Sequence, residues 1–200
     1  MEVSEILEQY EGCKEFLRNG GITVTGGEPL LQIDFLIELF TACKERKIHT
    51  CIDTSGVVYQ PGNKVLQEKL DQLMSLTDLV LLDIKHIDSV KHKELTGADN
   101  SGILAFLKYL NDRNIPVWIR HVVVPGITLN DKDLFELGYF LGQFKNIKAL
   151  DALPYHTMGT AKYESLNIPF ALEGVAPATK EEAIHARTEI LKGMRKRIKG

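Results

Sequence analysis

No apolar run in these 200 residues approaches the ~20 needed to cross a bilayer as a helix, so no helical membrane span is expected. Cysteine is scarce: Cys13, Cys43 and Cys51 are an odd number at wide spacing, which excludes a disulfide framework and a zinc knuckle. An excess of one charge is lacking as well. Twenty-four basic and 27 acidic residues leave a net charge of -3, which gives no electrostatic reason to expect nucleic acid. The one basic run, Lys192 to Lys199, reads as cations on a terminal helix, where they suit the helix dipole. Glu2 and Glu5 stand where a secretory leader would carry positive charge. The expected location is the cytoplasm, with no membrane partner.

What is present reads as globular. A 44% hydrophobic and 26% charged composition over this length suits one domain with a sizeable core. Cys43 and Cys51 are expected to be reduced, partly buried small apolar residues. Helical spacing of apolar residues covers about Glu2 to Leu17, Leu31 to Lys47, Val65 to Met74, Ile103 to Leu110 and Leu134 to Phe144. Short β-branched or continuous apolar runs lie at Ile22–Thr25, Thr50–Ile52, Leu79–Leu82, Val117–Val124 and Ile147–Leu153, as strands require. Thr179 before Glu181 and Glu182 marks the N-cap of a last helix.

This alternation is five βα units. Polar motifs stand at the ends of four strands, Gly26-Gly27-Glu28-Pro29, Asp53-Thr54-Ser55-Gly56, Asp83-Ile84-Lys85 and Pro154-Tyr155-His156, and Arg120 stands inside the remaining one. Parallel βα repetition admits a barrel, part of one, or an open doubly wound sheet. In each, loops at one end of the strands build the site. Five units are too few to close an eight-stranded barrel, so an open, partial (β/α) barrel is expected, as a single domain over 1–200. The chain opens with a helix that has no strand before it. In a right-handed βα series a helix follows a strand, so the first unit is expected to be missing, and strand Ile22–Thr25 to be an edge open to self-association.

Each motif has two readings. Gly26 and Gly27 let a backbone approach a ligand closely, or make a plain strand-to-helix turn with Pro29 at the first helical position. Asp53 and Asp83 are strand-end carboxylates that cap helices or, with Thr54, offer oxygen ligands to a hard cation. Lys85 follows a buried run and is expected to face the mouth of the barrel rather than open solvent. Arg120 interrupts an apolar strand and needs a partner: an internal carboxylate such as Asp83 or Glu28, or a bound molecule. His49, His86, His92, His121 and His185 match no ligand spacing and read as incidental. No general base stands out.

The stretches GGITVTGGEPLLQ, IHTCIDTSG, TDLVLLDIKH, VWIRHVVVPG, LPYH and LEGVAP together resemble the glycyl-radical-enzyme activating enzymes of the radical S-adenosylmethionine (SAM) superfamily. The likeness runs from about Gly20 to Val175. It implies that Gly26, Gly27, Glu28, Asp53, Thr54, Asp83, Ile84, Lys85, Arg120 and His156 bind SAM. It also implies a monovalent cation at Asp53, Thr54 and Asp83 in some members. In such enzymes a reduced [4Fe–4S] cluster cleaves SAM to methionine and a 5′-deoxyadenosyl radical. That radical takes a hydrogen atom from a glycine of a partner enzyme, in anaerobic glucose metabolism. The implied partners are pyruvate formate-lyase or a related glycyl radical enzyme, with flavodoxin or ferredoxin as electron donor. The family's CxxxCxxC motif has no counterpart among Cys13, Cys43 and Cys51. The cluster is therefore not expected on this chain, which alone is expected to be inactive. Two rivals are a non-catalytic SAM-binding module and an aldolase-like partial barrel with Lys85 as Schiff-base amine.

Overall fold

The computed structural model describes residues 1–18, 20–159, 167, 170 and 172–200. The elements there are α1 (Val3–Leu17), β1 (Gly21–Val24), α2 (Ile33–Glu45), β2 (His49–Thr54), α3 (Lys64–Ser75), β3 (Leu79–Asp83), α4 (Ser89–Thr96), α5 (Ser101–Asp112), β4 (Val117–Val123), α6 (Asp131–Leu141), β5 (Ile147–Pro154) and α7 (Lys180–Lys199). Short 3₁₀ turns occupy Pro29–Gln32 and Thr157–Gly159. No helix among the described residues is long and apolar enough to cross a membrane.

The sheet runs β1-β2-β3-β4-β5. β1 and β2 pair in parallel from Gly21 with His49 to Val24 with Ile52. β2 and β3 do so from Cys51 with Leu79 to Thr54 with Leu82. The spatial order is the chain order, so the sheet lacks the reversal that defines a doubly wound fold. The five βα units are those of an open, partial barrel.

The described chain forms two compact units. The first is Met1–Asp83, Gly102–Trp118 and Asn146–Lys148, and the second is Ile84–Ser101, Ile119–Lys145 and Ala149–Gly200. In the first, Leu36, Leu39 and Phe40 of α2, Leu70 and Leu73 of α3, and Phe106, Leu107 and Leu110 of α5 are almost wholly buried with Ile52, Val80 and Leu82 of the strands. Their helical spacing gives each helix one apolar face.

In the second unit, α6 and α7 cross with their backbones in contact. A Cβ on Gly138 would lie 1.9 Å from the carbonyl oxygen of Ile190, and one on Gly193 2.1 Å from that of Phe135. Only glycine fits either position. α7 begins on a capping box, with the Thr179 hydroxyl accepting from the Glu182 N–H and the Glu182 carboxylate from the Thr179 N–H.

α4 is absent from the helices expected by periodicity. It is eight residues long and buries only His92, so it has no apolar stripe to read. Its two ends define it instead. Asp88 accepts from the Lys91 N–H, and Gly97 ends the helix at φ 84°, a left-handed conformation that glycine adopts without penalty.

Candidate functional site

In the first unit the ends of β1 and β2 are tied by one side chain. Glu28 Oε1 accepts from the Thr54 hydroxyl at 2.5 Å and from the Leu30 N–H at 3.2 Å. Its Oε2 accepts from the Ser55 hydroxyl at 2.6 Å and the Ser55 N–H at 3.1 Å. Glu28 therefore opens the 3₁₀ turn that starts at Pro29 and also holds the Asp-Thr-Ser-Gly turn. The buried Thr54 hydroxyl accepts in turn from the Gly56 N–H at 2.9 Å. Asp53, half-buried, accepts from the Thr25 hydroxyl at 3.1 Å. Gly56 is at φ 70°, and a Cβ there would meet Phe106 at 2.7 Å.

Gly26 and Gly27 form the opposite environment. Gly26 is at φ 122°, and a Cβ on either glycine would meet nothing within 4 Å. The pair is an exposed stretch of bare backbone, held at one end by Glu28. Such a stretch leaves main-chain groups open to close approach by a bound molecule. The side chains of Glu28 and Thr54 are already committed to each other.

In the second unit, the loop from Ile84 to Asp88 carries Lys85, which is half-buried, as is Arg120 of β4. The Arg120 carbonyl accepts from the Ile84 N–H at 3.0 Å. His121 Nδ1 lies 2.8 Å from the Ile84 carbonyl oxygen. A carbonyl can only accept, so Nδ1 carries the proton. Asn100 donates from Nδ2 to the carbonyls of His86 at 3.0 Å and Ile87 at 2.7 Å. His86 Nδ1 accepts from the Asp88 N–H at 3.0 Å, which puts the ring proton on Nε2, 3.5 Å from Asp133 Oδ2. Asp133 Oδ2 also pairs with Lys91 Nζ at 2.6 Å. Burial of the His86 ring lowers its pKa from the ordinary value against the opposing pull of Asp133. Tyr155 is buried and His156 exposed. The Tyr155 backbone is held by the Val123 carbonyl and the Ala178 N–H, both at 3.0 Å.

The cysteines do not fit an iron–sulfur cluster, which needs neighbouring thiolates. Cys13 is exposed on α1, while Cys43 of α2 and Cys51 of β2 are buried. Burial pushes both of the latter thiols up, against the pull of Arg46 on Cys43 and of a Thr23 hydrogen bond on Cys51, so they stay neutral. Among the described residues the one cluster of three ligand-type side chains is Asp131, His185 and Glu189, with no cysteine. Its members already have partners: His185 Nε2 lies 2.7 Å from Asp131 Oδ1, and Glu189 pairs with Lys192 at 2.5 Å.

Residues 1–138 match the Radical SAM superfamily, so the partial barrel is of the radical SAM type. The chain is 50% identical over 183 residues to the pyruvate formate-lyase-activating enzyme of Streptococcus mutans, covering 90% of this chain and 69% of that one. It is 47% identical over 189 residues to the Listeria monocytogenes enzyme of the same name, covering 94% and 75%. The chain belongs to the pyruvate formate-lyase-activating enzyme family of radical SAM oxidoreductases. In fold it is similar to a crystallised domain of the pyruvate-formate lyase-activating enzyme of Bacteroides vulgatus, with TM-score 0.69 and 23% identity over 87% of this chain and 94% of that one. SuiB of Streptococcus suis, crystallised with S-adenosylmethionine, shares the fold at TM-score 0.56 and 21% identity over 84% and 38%.

Sequence reasoning passed over His86, Asn100, His121 and Asp133. His121 had a readable signal, since it sits beside Arg120 inside an apolar strand and a histidine there needs a hydrogen-bond partner. Asn100 and Asp133 lie in polar surroundings in the sequence, so nothing set them apart.

Proposed function

We propose that the chain binds SAM and acts on a glycyl radical enzyme, with pyruvate formate-lyase as partner, in the cytoplasm. The observation that carries this is the identity of 50% to an enzyme named for that activity, over a stretch that includes the GGEP, DTSG, DIK and LPYH motifs. In this reading the bare backbone of Gly26 and Gly27 receives the polar end of SAM, and Glu28 acts by setting that loop. Asp53, Asp83, Ile84, Lys85, Arg120 and His156 make the remaining contacts. Asp53 and Asp83, with a main-chain oxygen of Thr54, are the candidate cation ligands. SAM supplies, once cleaved, the group that abstracts hydrogen from the partner's glycine. Cys13, Cys43 and Cys51 do not supply the cluster that drives this cleavage in the family. What these residues contribute is binding, orientation and exclusion of water. Flavodoxin or ferredoxin is the electron donor of this reading, and β1, at the edge of the sheet, is its surface for self-association.

Equilibrium dialysis with labelled SAM tests the reading. Weak binding is expected, and Gly27→Val should weaken it further with little change in the unfolding temperature, because a Cβ there would meet nothing within 4 Å. SAM affinity that is unmoved by Gly27→Val would overturn the assignment of this loop.

A further inference from the structure

We propose that Asn100 and His121 are positioning residues that hold Lys85 for its ligand. The proposal rests on the reading of Lys85 as a SAM contact and deepens it. Loop carbonyls are ordinarily satisfied by water. Here three of the four from Ile84 to Ile87 are satisfied by side chains that are themselves inaccessible: His121 is 2% exposed and Asn100 3%. The Ile84 peptide is held on both sides, its N–H by the Arg120 carbonyl at 3.0 Å and its carbonyl by His121 Nδ1 at 2.8 Å. Past Lys85, the two hydrogens of one amide nitrogen, Asn100 Nδ2, serve the carbonyls of His86 and Ile87 at 3.0 and 2.7 Å. His86 then caps the Asp88 N–H with its own ring at 3.0 Å, and Asp88 caps α4 at Lys91. Lys85 is the residue between two clamps.

This arrangement costs more than stability alone would ask for. Two buried polar side chains and a buried imidazole are committed to a five-residue stretch that buries only Ile84 of its apolar residues. Buried polar groups that lack their partners are costly, so the clamps are all-or-none: each donor requires the loop in this one conformation. The gain is a lysine whose Cα and Cβ are fixed before a ligand arrives. A flexible side chain then loses less freedom on binding. A lysine on a free loop would lose affinity to that ordering.

The test is a double-mutant cycle read in SAM affinity, together with amide hydrogen exchange. In Asn100→Ala the amides of Lys85 to Asp88 should exchange faster while those of α6 and α7 do not. The SAM dissociation constant should rise about tenfold, the equivalent of one hydrogen bond. Lys85→Met should raise it too, and in a Lys85→Met background Asn100→Ala should add nothing. His121→Leu should behave like Asn100→Ala. His121→Asn, which keeps a donor near the position of Nδ1, should restore the affinity; this pair serves if Asn100→Ala does not fold. If exchange is unchanged, or if the Asn100 and Lys85 effects add, the clamp is merely structural and the proposal is overturned while the SAM reading stands. If Lys85→Met leaves SAM affinity untouched, Lys85 is not a SAM contact, and both the reading of that residue and the proposal fall.

Discussion

The Glu28 carboxylate accepts from Ser55 twice, from its hydroxyl at 2.6 Å and its backbone N–H at 3.1 Å. Two strand-end loops 27 residues apart are thereby locked through one charged group. Hydrogen bonds to charged groups contribute more than neutral ones, so Glu28→Ala should cost about 2–3 kcal/mol of stability. Glu28→Gln should recover little of this, because its amide NH₂ would face donors. Urea unfolding midpoints check it. A loss below about 0.5 kcal/mol, the scale of an ordinary surface substitution, would mean that the two loops stand independently.

The helix crossing gives a prediction with an internal control. Gly138→Ala would place a methyl 1.9 Å from the Ile190 carbonyl oxygen, so α6 and α7 must separate. The expected cost is about 3 kcal/mol, at the upper end for overpacking. Gly12 lies inside α1 with nothing within 4 Å of a Cβ. Gly12→Ala should stabilise by about 0.5–1 kcal/mol. Thermal unfolding should move in opposite directions for the two.

His86 predicts a pH dependence near neutrality. Burial of its ring, which outweighs the pull of Asp133 and Asp88 and is aided by Lys91 and His92, holds its folded pKa below the ordinary 6.5. Below 6.5 the unfolded chain takes a proton that the folded chain refuses. Its contribution is therefore fully present above 6.5 and is lost as pH falls through the lowered folded value. The unfolding free energy of His86→Gln, from urea melts at a series of pH values, should fall less steeply between pH 7 and pH 5 than that of the parent. Equal slopes would show that His86 does not titrate differently in the two states.

Asp78 predicts the acid end. Burial raises its carboxyl, but the Lys44 hydrogen bond at 2.5 Å and those from the Thr50 N–H and hydroxyl at 2.9 and 3.1 Å outweigh it. The net effect lowers the pKa from 3.8. The folded carboxylate is favoured above 3.8, and that stability is lost as pH falls through the lower folded value. Lys44→Met should move acid unfolding to higher pH. No movement in a circular-dichroism acid titration would remove Lys44 as a cause.

The strand ends were legible because a buried strand cannot hide its last polar residue. Leu79 to Leu82 followed by Asp83 reads as a strand and its exit, and β3 ends at Asp83. The same logic located β2 through Asp53 and α7 through Thr179. It failed where shape depends on caps rather than apolar spacing, as in α4. It also missed Glu28 as the tie between two strand-end loops. A carboxylate in GGEP can bind a ligand or tie a loop, and the choice depends on Ser55, which the sequence gives no reason to pair with it. Asn100 was invisible for the same reason: its partners are carbonyls, which every residue has.

The contact of α6 with α7 through Gly138 and Gly193 has a consequence for biosynthesis. α7 leaves the ribosome well after α6. Until it does, the face of α6 that meets α7, at Phe135, Gly138, Tyr139 and Gly142, lacks the helix that packs on it. Those residues were made some forty residues earlier. The nascent protein therefore carries an uncovered apolar strip while β5 and the segment between β5 and α7 are being made. A message cut short before Lys180 would release a product with that strip permanently exposed, a ready target for chaperones and proteases.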